Sequence, residues 1–283
     1  YPGGFIIVAA VCYTAQLYMD FSGTMDAVIG TAEIFGVTMP ENFKRPFFSR
    51  TISEFWKRWH ITLGAWLKDY IFYPVTMSKP MKNLTSSARK KLGNHFGPLL
   101  AGSIALFCVW IINGLWHGSA WNFIFFGMYH FVLILLGNIC EPLVRAINTK
   151  LRINPESKPY KAMQIIRTCI LVCIGEMFFR ANGLRAGFSM LKRLFTSFGF
   201  KASGALISDL GFDTGDLIIT VATLLIVLGV SIANEKGISV RERLAGTKPV
   251  VRWAVLYALI MFIVIFGAYG IGYVPVDPIY ANF

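Results

Sequence analysis

The fold is decided by residues 99–140, which read LLAGSIALFCVWIINGLWHGSAWNFIFFGMYHFVLILLGNIC. The stretch contains two apolar runs, Leu99 to Trp116 and Ala120 to Cys140. Each run approaches the roughly 20 residues that a helix needs to cross a bilayer. Almost nothing separates them, so two helices formed here must be antiparallel. The stretch therefore predicts a transmembrane helix pair whose turn carries one ionisable side chain, His117.

The composition of the whole chain agrees with a membrane protein. Of 283 residues, 55% are hydrophobic and only 15% are charged, and the mean hydropathy is +0.57. Soluble globular domains carry a larger fraction of charged residues, so a soluble globular protein is excluded. Three further apolar runs follow, Met163 to Phe179, Leu217 to Ala233 and Val250 to Val274. We predict an all-α, polytopic helical membrane protein that forms one domain over residues 1–283.

The N-terminal region predicts less regular membrane segments. The run from Phe5 to Phe21 is apolar but contains Asp20, and a carboxylate at membrane depth is costly unless it is paired or hydrated. The run from Ala27 to Met39 is too short to span and is followed by Pro40, which predicts a re-entrant helix. Because the chain begins at Tyr1 without a methionine, we expect it to be the later part of a longer protein.

An amphipathic pattern begins at Ile52, where apolar and aromatic residues recur at three- and four-residue steps as far as Tyr70. Basic residues occupy the other face, which predicts an interfacial helix. His60 follows Trp56 by four residues and is predicted to lie on the apolar side. Pro74 is predicted to end this helix, and a basic loop is expected to follow.

The distribution of Lys and Arg predicts the orientation of the chain. Segments 74–98, 141–162 and 235–249 contain 14 of these residues, and segment 180–216 contains five. The positive-inside rule therefore places the first three segments in the cytoplasm. The turn at His117 then points away from the cytoplasm, or ends part-way through the bilayer if the two helices are short or tilted. The same rule accounts for the net charge of +12 without a nucleic-acid partner.

His117 is the sharpest candidate for chemistry, because glycines and tryptophans surround it in the segment from Asn113 to Trp121. A histidine at neutral pH can take a proton from a hydroxyl group and pass it on. The neighbouring glycines would let a substrate approach. The residues alone leave a second interpretation open, in which His117 merely connects two helices and binds a carbonyl.

The remaining histidines are open to similar alternatives. His60 could be functional or could extend its ring to the membrane interface beside the tryptophans. His130 is expected to pack inside a span, and His95 to be solvated. No histidine pair has ligand spacing, and the five cysteines lack the paired spacing of a zinc site, so we predict no metal site.

Polar residues elsewhere in the apolar runs have local explanations. Asp20, Ser22 and Asp26 could line a substrate path, although Asp26 is better explained as a helix N-cap. Glu176 and Arg180 are spaced i,i+4 and are predicted to pair on one helix. Arg180 is expected to anchor that helix at the membrane surface.

Five short motifs carry a resemblance to a known family. They are Asp20–Gly23 (DFSG), Pro40–Phe43 (PENF), Glu54–Leu63 (EFWKRWHITL), Asp69–Ile71 (DYI) and Leu115–Gly118 (LWHG). In this order and at these intervals the chain resembles the membrane-bound O-acyltransferase family. It is most similar to the bacterial branch that contains the membrane proteins of alginate O-acetylation and teichoic acid D-alanylation.

The resemblance implies a helical enzyme of the bacterial plasma membrane, built around a central funnel. Such an enzyme moves an acyl group from a cytoplasmic thioester, an acyl-CoA or an acyl carrier protein, to hydroxyls of an extracytoplasmic carbohydrate polymer. The partners that it implies are membrane lipids and either the polymer itself or a secreted SGNH-type acetyltransferase that receives the acyl group. It implies no tightly bound cofactor. His117 takes the place of the essential histidine and His60 that of the second site residue. Candidate substrate-binding residues are Asp20, Ser22, Trp56, Arg58, Trp59, Asp69, Asn113 and Trp116.

Two alternatives to polysaccharide acetylation stay open. One is D-alanyl transfer to teichoic acid, because Val75 to Pro80 differ from the short Gly-Gly-Asn-Arg stretch of the alginate-type proteins. The other is a transporter of lipid or polymer in which His117 and Asp20 line a path. A transporter of this kind predicts inverted repeats or broken helices in matching halves, and the sequence shows neither.

Overall fold

The computed structural model describes residues 2–199 and 214–267, which form two compact units treated separately below. All regular secondary structure in these ranges is helical, and six helices are long and apolar enough to cross a membrane. The predicted all-α membrane fold is confirmed. Whether the chain acts as one domain stays a prediction.

The helices of residues 2–199 are α1 Gly3–Ile34, α2 Ile52–Arg58, α3 Ile61–Leu67, a π-helical turn Lys68–Phe72, α4 Tyr73–Met77, α5 Lys79–His117, α6 Trp121–Lys150, α7 Lys158–Arg180 and α8 Leu184–Thr196. Those of residues 214–267 are α9 Thr214–Glu235, α10 Val240–Ala245 and α11 Pro249–Phe266. The six candidate spans are α1, α5, α6, α7, α9 and α11.

Helices α5 and α6 form the antiparallel pair that the sequence predicts. They cross closely because Gly127 of α6 lies against Trp110 of α5, where a β-carbon would collide with the Trp110 carbonyl oxygen. Small residues at helix crossings let backbones approach in membrane proteins. The crossing places the C-terminal end of α5, which carries His117, against the first turns of α6.

The predicted amphipathic helix does not form as one element, and this prediction is wrong. Helix α2 ends at Arg58 because Trp59 turns out of the helix and forms an antiparallel bridge with Phe43. His60 then adopts a left-handed conformation with φ of 47° before α3 begins. Pro74 lies in the first turn of α4 and does not end a helix, since the first turn tolerates the missing N–H.

The N-terminal prediction of two separate helices is also wrong. Helix α1 continues to Ile34, so no separate re-entrant helix exists at 27–39, and Asp26 lies inside α1 and not at an N-cap position. Gly23 and Gly30 lie within the helix, where isolated glycines are tolerated. The chain leaves the helix at Gly36, whose φ of 74° suits glycine, and the Val37 N–H donates to the Ala32 carbonyl.

The predicted basic loops are largely helical. Segment 74–98 is occupied mainly by α4 and the first part of α5, which kinks at Gly93 where φ is 79° and ψ is −176°. Helix α6 continues to Lys150, which leaves only a short connection to α7. Of the predicted span Val250 to Val274, residues to Phe266 are helical in α11, and 268–274 lie outside the described residues.

Helix α2 is held in place by the residues at its start. The Thr51 hydroxyl oxygen accepts a hydrogen bond from the Glu54 N–H at 3.1 Å, and Glu54 Oε2 accepts from the Arg50 N–H at 2.8 Å. The Arg50 guanidinium donates to Gln164 at 2.8 Å and to Glu156 at 3.1 Å. Hydrogen bonds from Lys161 and Arg50 lower the pKa of the Glu156 carboxyl. The start of α2 is therefore tied to α7 and to the connection before it.

Replacing Gly127 with Ala is expected to destabilise this fold. The added methyl group would push α5 and α6 apart, and overpacking of this kind costs about 1–3 kcal/mol in the free energy of unfolding. The control is Gly137→Ala on the same helix, because a β-carbon there meets no atom within 4 Å. Thermal unfolding in detergent, followed by circular dichroism, measures both. Equal melting temperatures would contradict the role of this crossing.

Candidate functional site

A small cavity of about 10 Å³ brings the two candidate histidines together. This volume is close to that of one water molecule. Residues from α1, α2, α3, α5, α6 and α7 contribute to its wall, together with Trp59 and His60 between α2 and α3. They are Leu17, Trp56, Trp59, His60, Leu63, Asn113, His117, Phe126, Glu176 and Phe179.

His117 reaches this cavity from the last position of α5 and is only 6% exposed. Its ring stands edge-on to Phe126 and Phe179, with centroids 6.0 Å and 4.9 Å away. The chain turns at Gly118, where φ is 146° and a β-carbon would lie 2.8 Å from the Phe123 ring. The glycine therefore serves the turn, and the aromatic rings fix the histidine and keep bulk water away from it.

His60 approaches from the break between α2 and α3. Its Nδ1 lies 3.2 Å from Asn42 Oδ1, and its ring stands edge-on to Phe21 of α1 with centroids 4.7 Å apart. Trp116 of α5 lies on another side, with ring centroids 5.8 Å apart. Burial lowers the pKa of His60 to about 4, so the ring is neutral at pH 7.

A second cavity, of about 730 Å³, adjoins the small one and shares Trp56, Trp59, His60, Leu63 and Asn113 with it. Volumes of this order are typical of small-molecule sites. The larger cavity extends along α5 to Leu106 and along α6 to Asn138, both away from the turn at residues 118–120. It therefore approaches the histidines from the side opposite to that turn.

The structure brings six of the ten predicted site residues together. His60, His117, Trp56, Trp59 and Asn113 line the small cavity. Trp116 lies against both histidine rings, with its centroid 4.7 Å from that of His117. Their functional roles stay predictions.

The other four predicted residues line neither cavity. Asp20 and Ser22 lie on α1 on either side of Phe21, whose ring contacts His60. Arg58 donates to Glu54 at 2.7 Å. Asp69 is exposed in the π-helical turn.

Glu176 lines the small cavity and was not among the predicted site residues. It is 2% exposed, and its Oε2 forms no hydrogen bond within the described part of the chain. The predicted ion pair with Arg180 is absent from these ranges, because Arg180 lies over the Tyr13 ring at 6.0 Å. The sequence contains a signal for this residue, because Glu176 is an acidic residue inside an apolar run. Such residues usually mark functional sites in membrane proteins.

His130 is fully buried in an aromatic cluster near the site. Its ring stacks on Trp110 at 5.5 Å and stands edge-on to Trp56 at 4.9 Å. Both ring nitrogens lack hydrogen-bond partners in the described residues. No group of three or more His, Cys, Asp or Glu side chains in those residues is placed to hold a metal ion.

Comparison with known proteins agrees with the motifs. Residues 1–89 match the profile of the membrane-bound O-acyltransferase family. The chain is 34% identical over 192 residues to a probable alginate O-acetylase of Azotobacter vinelandii, a match covering 68% of this chain and 33% of the relative. It is 32% identical over 171 residues to a teichoic acid D-alanyltransferase of Bacillus subtilis, a match covering 59% of this chain and 39% of the relative.

A third relative is a peptidoglycan O-acetyltransferase of Helicobacter pylori, 29% identical over 185 residues, which are 65% of this chain and 30% of the relative. The matched segments thus amount to about a third of each relative's length. The names of these relatives describe transfer of an acetyl or a D-alanyl group to alginate, teichoic acid or peptidoglycan.

The buried Oε2 of Glu176, which lacks a hydrogen bond in the described residues, predicts an unusual mutational effect. Glu176→Leu is expected to raise the free energy of unfolding by about 1–3 kcal/mol, because it removes a buried polar group that lacks a hydrogen bond at Oε2. Glu176→Gln keeps the size and polarity and is the control, with little change expected. Thermal unfolding in detergent measures both. A lower melting temperature for Glu176→Leu would show that the carboxyl has a stabilising partner.

Proposed function

Because the chain belongs to the membrane-bound O-acyltransferase family, in the bacterial branch of these relatives, we propose that it carries the transfer site of a membrane O-acyltransferase. The enzyme moves an acetyl group from a cytoplasmic thioester to hydroxyls of an extracytoplasmic polysaccharide. The observation that carries the proposal is the convergence of His117 and His60 on one small cavity that a larger cavity joins.

In the proposed reaction His117 takes the proton of the acceptor hydroxyl as a general base. The hydroxyl oxygen attacks the thioester carbonyl carbon, an ester C–O bond forms, and the C–S bond breaks. The proton then passes from His117 to the leaving thiolate, so no further reactant is consumed. The aromatic wall around His117 supports this role, since it limits access of water that would hydrolyse the thioester.

The larger cavity is the proposed path of the donor. Its position away from the α5–α6 turn corresponds to the side that the charge count assigns to the cytoplasm. Lys57 and Lys68 are among its lining residues and suit an anionic donor such as an acyl-CoA or the phosphopantetheine arm of an acyl carrier protein. The acceptor then enters from the opposite side, near His117.

The acceptor is proposed to be a carbohydrate polymer of the cell envelope, reached directly or through a secreted SGNH-type acetyltransferase, with the protein in the bacterial plasma membrane. The names of the alginate and peptidoglycan relatives support acetyl transfer to a polysaccharide. The teichoic acid relative supports D-alanyl transfer as the second candidate. Both use the same histidines and the same path.

Replacing His117 with Ala is expected to lower acylation of the cell-surface polymer by about 100-fold or more, the usual contribution of a positioned general base. His60→Ala is expected to lower it as well, because the ring lines the same cavity. Mass spectrometry of surface polymers from cells that carry each variant in place of the wild-type gene measures the loss. The mass added per acyl group separates acetyl from D-alanyl transfer.

The matched control is His95→Ala, which removes a histidine from the same helix α5 at an exposed position. It is expected to leave acylation unchanged. Normal acylation in His117→Ala, with equal amounts of protein in the membrane, would favour the transporter alternative over the enzyme.

A further inference from the structure

Asn42, in the segment between α1 and α2, contacts all three residues that cross the break after Trp59. Its side chain is buried, and Oδ1 lies 3.2 Å from His60 Nδ1, 3.2 Å from the Thr62 nitrogen and 2.7 Å from Thr62 Oγ1. Its backbone carbonyl accepts a hydrogen bond from the Ile61 N–H at 3.0 Å. One residue therefore receives hydrogen bonds from His60, Ile61 and Thr62.

The orientation of the Asn42 amide follows from its partners. A backbone N–H can only donate, so the atom facing the Thr62 nitrogen must be the oxygen and not the NH₂ group. The usual ambiguity between the two ends of an amide is thereby removed. The Thr62 hydroxyl then donates to the same oxygen.

The hydrogen bond to Asn42 Oδ1 also determines which tautomer of His60 is present. Asn42 Oδ1 carries no proton, so His60 Nδ1 must be the donor of their 3.2 Å hydrogen bond. A neutral imidazole has one ring proton, and here it lies on Nδ1. The other nitrogen, Nε2, therefore keeps its lone pair.

We propose that Asn42 is a positioning residue that holds His60 as the Nδ1–H tautomer, so that Nε2 is a hydrogen-bond acceptor for the group bound in the cavity. The backbone supports this, because His60 has φ of 47°, a strained conformation that persists only where neighbouring contacts hold it. The tautomer follows from the contacts alone, whereas its effect on transfer rests on the proposed function.

Among the described residues, no carboxylate is hydrogen-bonded to His60 Nδ1. His117 of α5 and Glu176 of α7 share the small cavity with it. Lys57 of α2 and Lys68 of the π-helical turn line the large cavity. Asn42 is the residue that bonds Nδ1, so a charge introduced at position 42 acts directly on the protonation of this ring.

Nitrogen-15 NMR of the full-length protein with labelled histidine rings tests the tautomer. The His60 signals, identified by their loss in His60→Gln, are expected to show the Nδ1–H form at pH 7. Asn42→Ala is expected to lose this form. The control Thr62→Val removes a different hydrogen bond from the same oxygen and is expected to keep it. An Nε2–H form in the wild type, or an unchanged form in Asn42→Ala, would overturn the assignment.

Asn42→Asp tests the effect on transfer and retains the acceptor oxygens if Asn42→Ala fails to fold. A carboxylate beside Nδ1 favours the imidazolium, so the pKa of His60 rises and Nε2 becomes protonated. Because a nearby charge shifts a pKa by about 1–3 and the wild-type pKa is about 4, polymer acylation is expected to fall by about tenfold at pH 5 and to approach the wild-type level as pH rises above 7, since deprotonation restores the Nε2 lone pair.

The outcomes separate this proposal from the proposed function. Wild-type acylation in Asn42→Asp, with His60 present as imidazolium, would overturn the acceptor role of Nε2. If even His117→Ala acylates normally, the proposed function fails, and the NMR measurement still decides whether Asn42 sets the tautomer. A purely structural Asn42 would alter protein stability and leave the pH profile unmoved.

Discussion

The close crossing of α5 and α6 at Gly127 is the contact on which the rest of the site depends. Because nothing larger than glycine fits against the Trp110 carbonyl, the two backbones approach closely in a region where helices gain little from burying apolar surface. Helix α5 then presents Asn113 and His117, and α6 presents Phe126, to the same small volume. A wider crossing would separate His117 from the aromatic rings that enclose it.

The second constraint is the antiparallel bridge between Phe43 and Trp59. In a bilayer, backbone groups outside helices need partners within the protein, and here the Asn42 carbonyl and the Lys44 N–H bond to residues 61 and 58. These bonds satisfy backbone groups on both sides of the break between α2 and α3 within the protein. They also turn His60 out of the helical register and towards His117.

The sequence predicts the spans well because their signal is local, as the turn around His117 shows. It fails at His60, because the break depends on Asn42, which lies 18 residues away and forms its bonds only after folding. The sequence prediction divides α1 wrongly, because the polar residues between Phe21 and Ala27 interrupt the apolar pattern without ending the helix. Glu176 was assigned to Arg180 because i,i+4 pairing is visible in the sequence and a shared cavity between helices is not.

The distribution of polar groups separates this site from an ordinary helix junction. In the described residues, buried atoms without a hydrogen bond include Trp56 Nε1, Asn113 Oδ1 and Glu176 Oε2 in the cavity wall, both ring nitrogens of His130 beside it, and Ser49 Oγ. Each such atom costs free energy, and apolar residues of similar size would remove that cost. Proteins keep buried polar atoms without hydrogen bonds mainly where function requires them. Their concentration around the cavity of His117 and His60 is the pattern expected of a site that binds a polar reactant inside an apolar membrane domain.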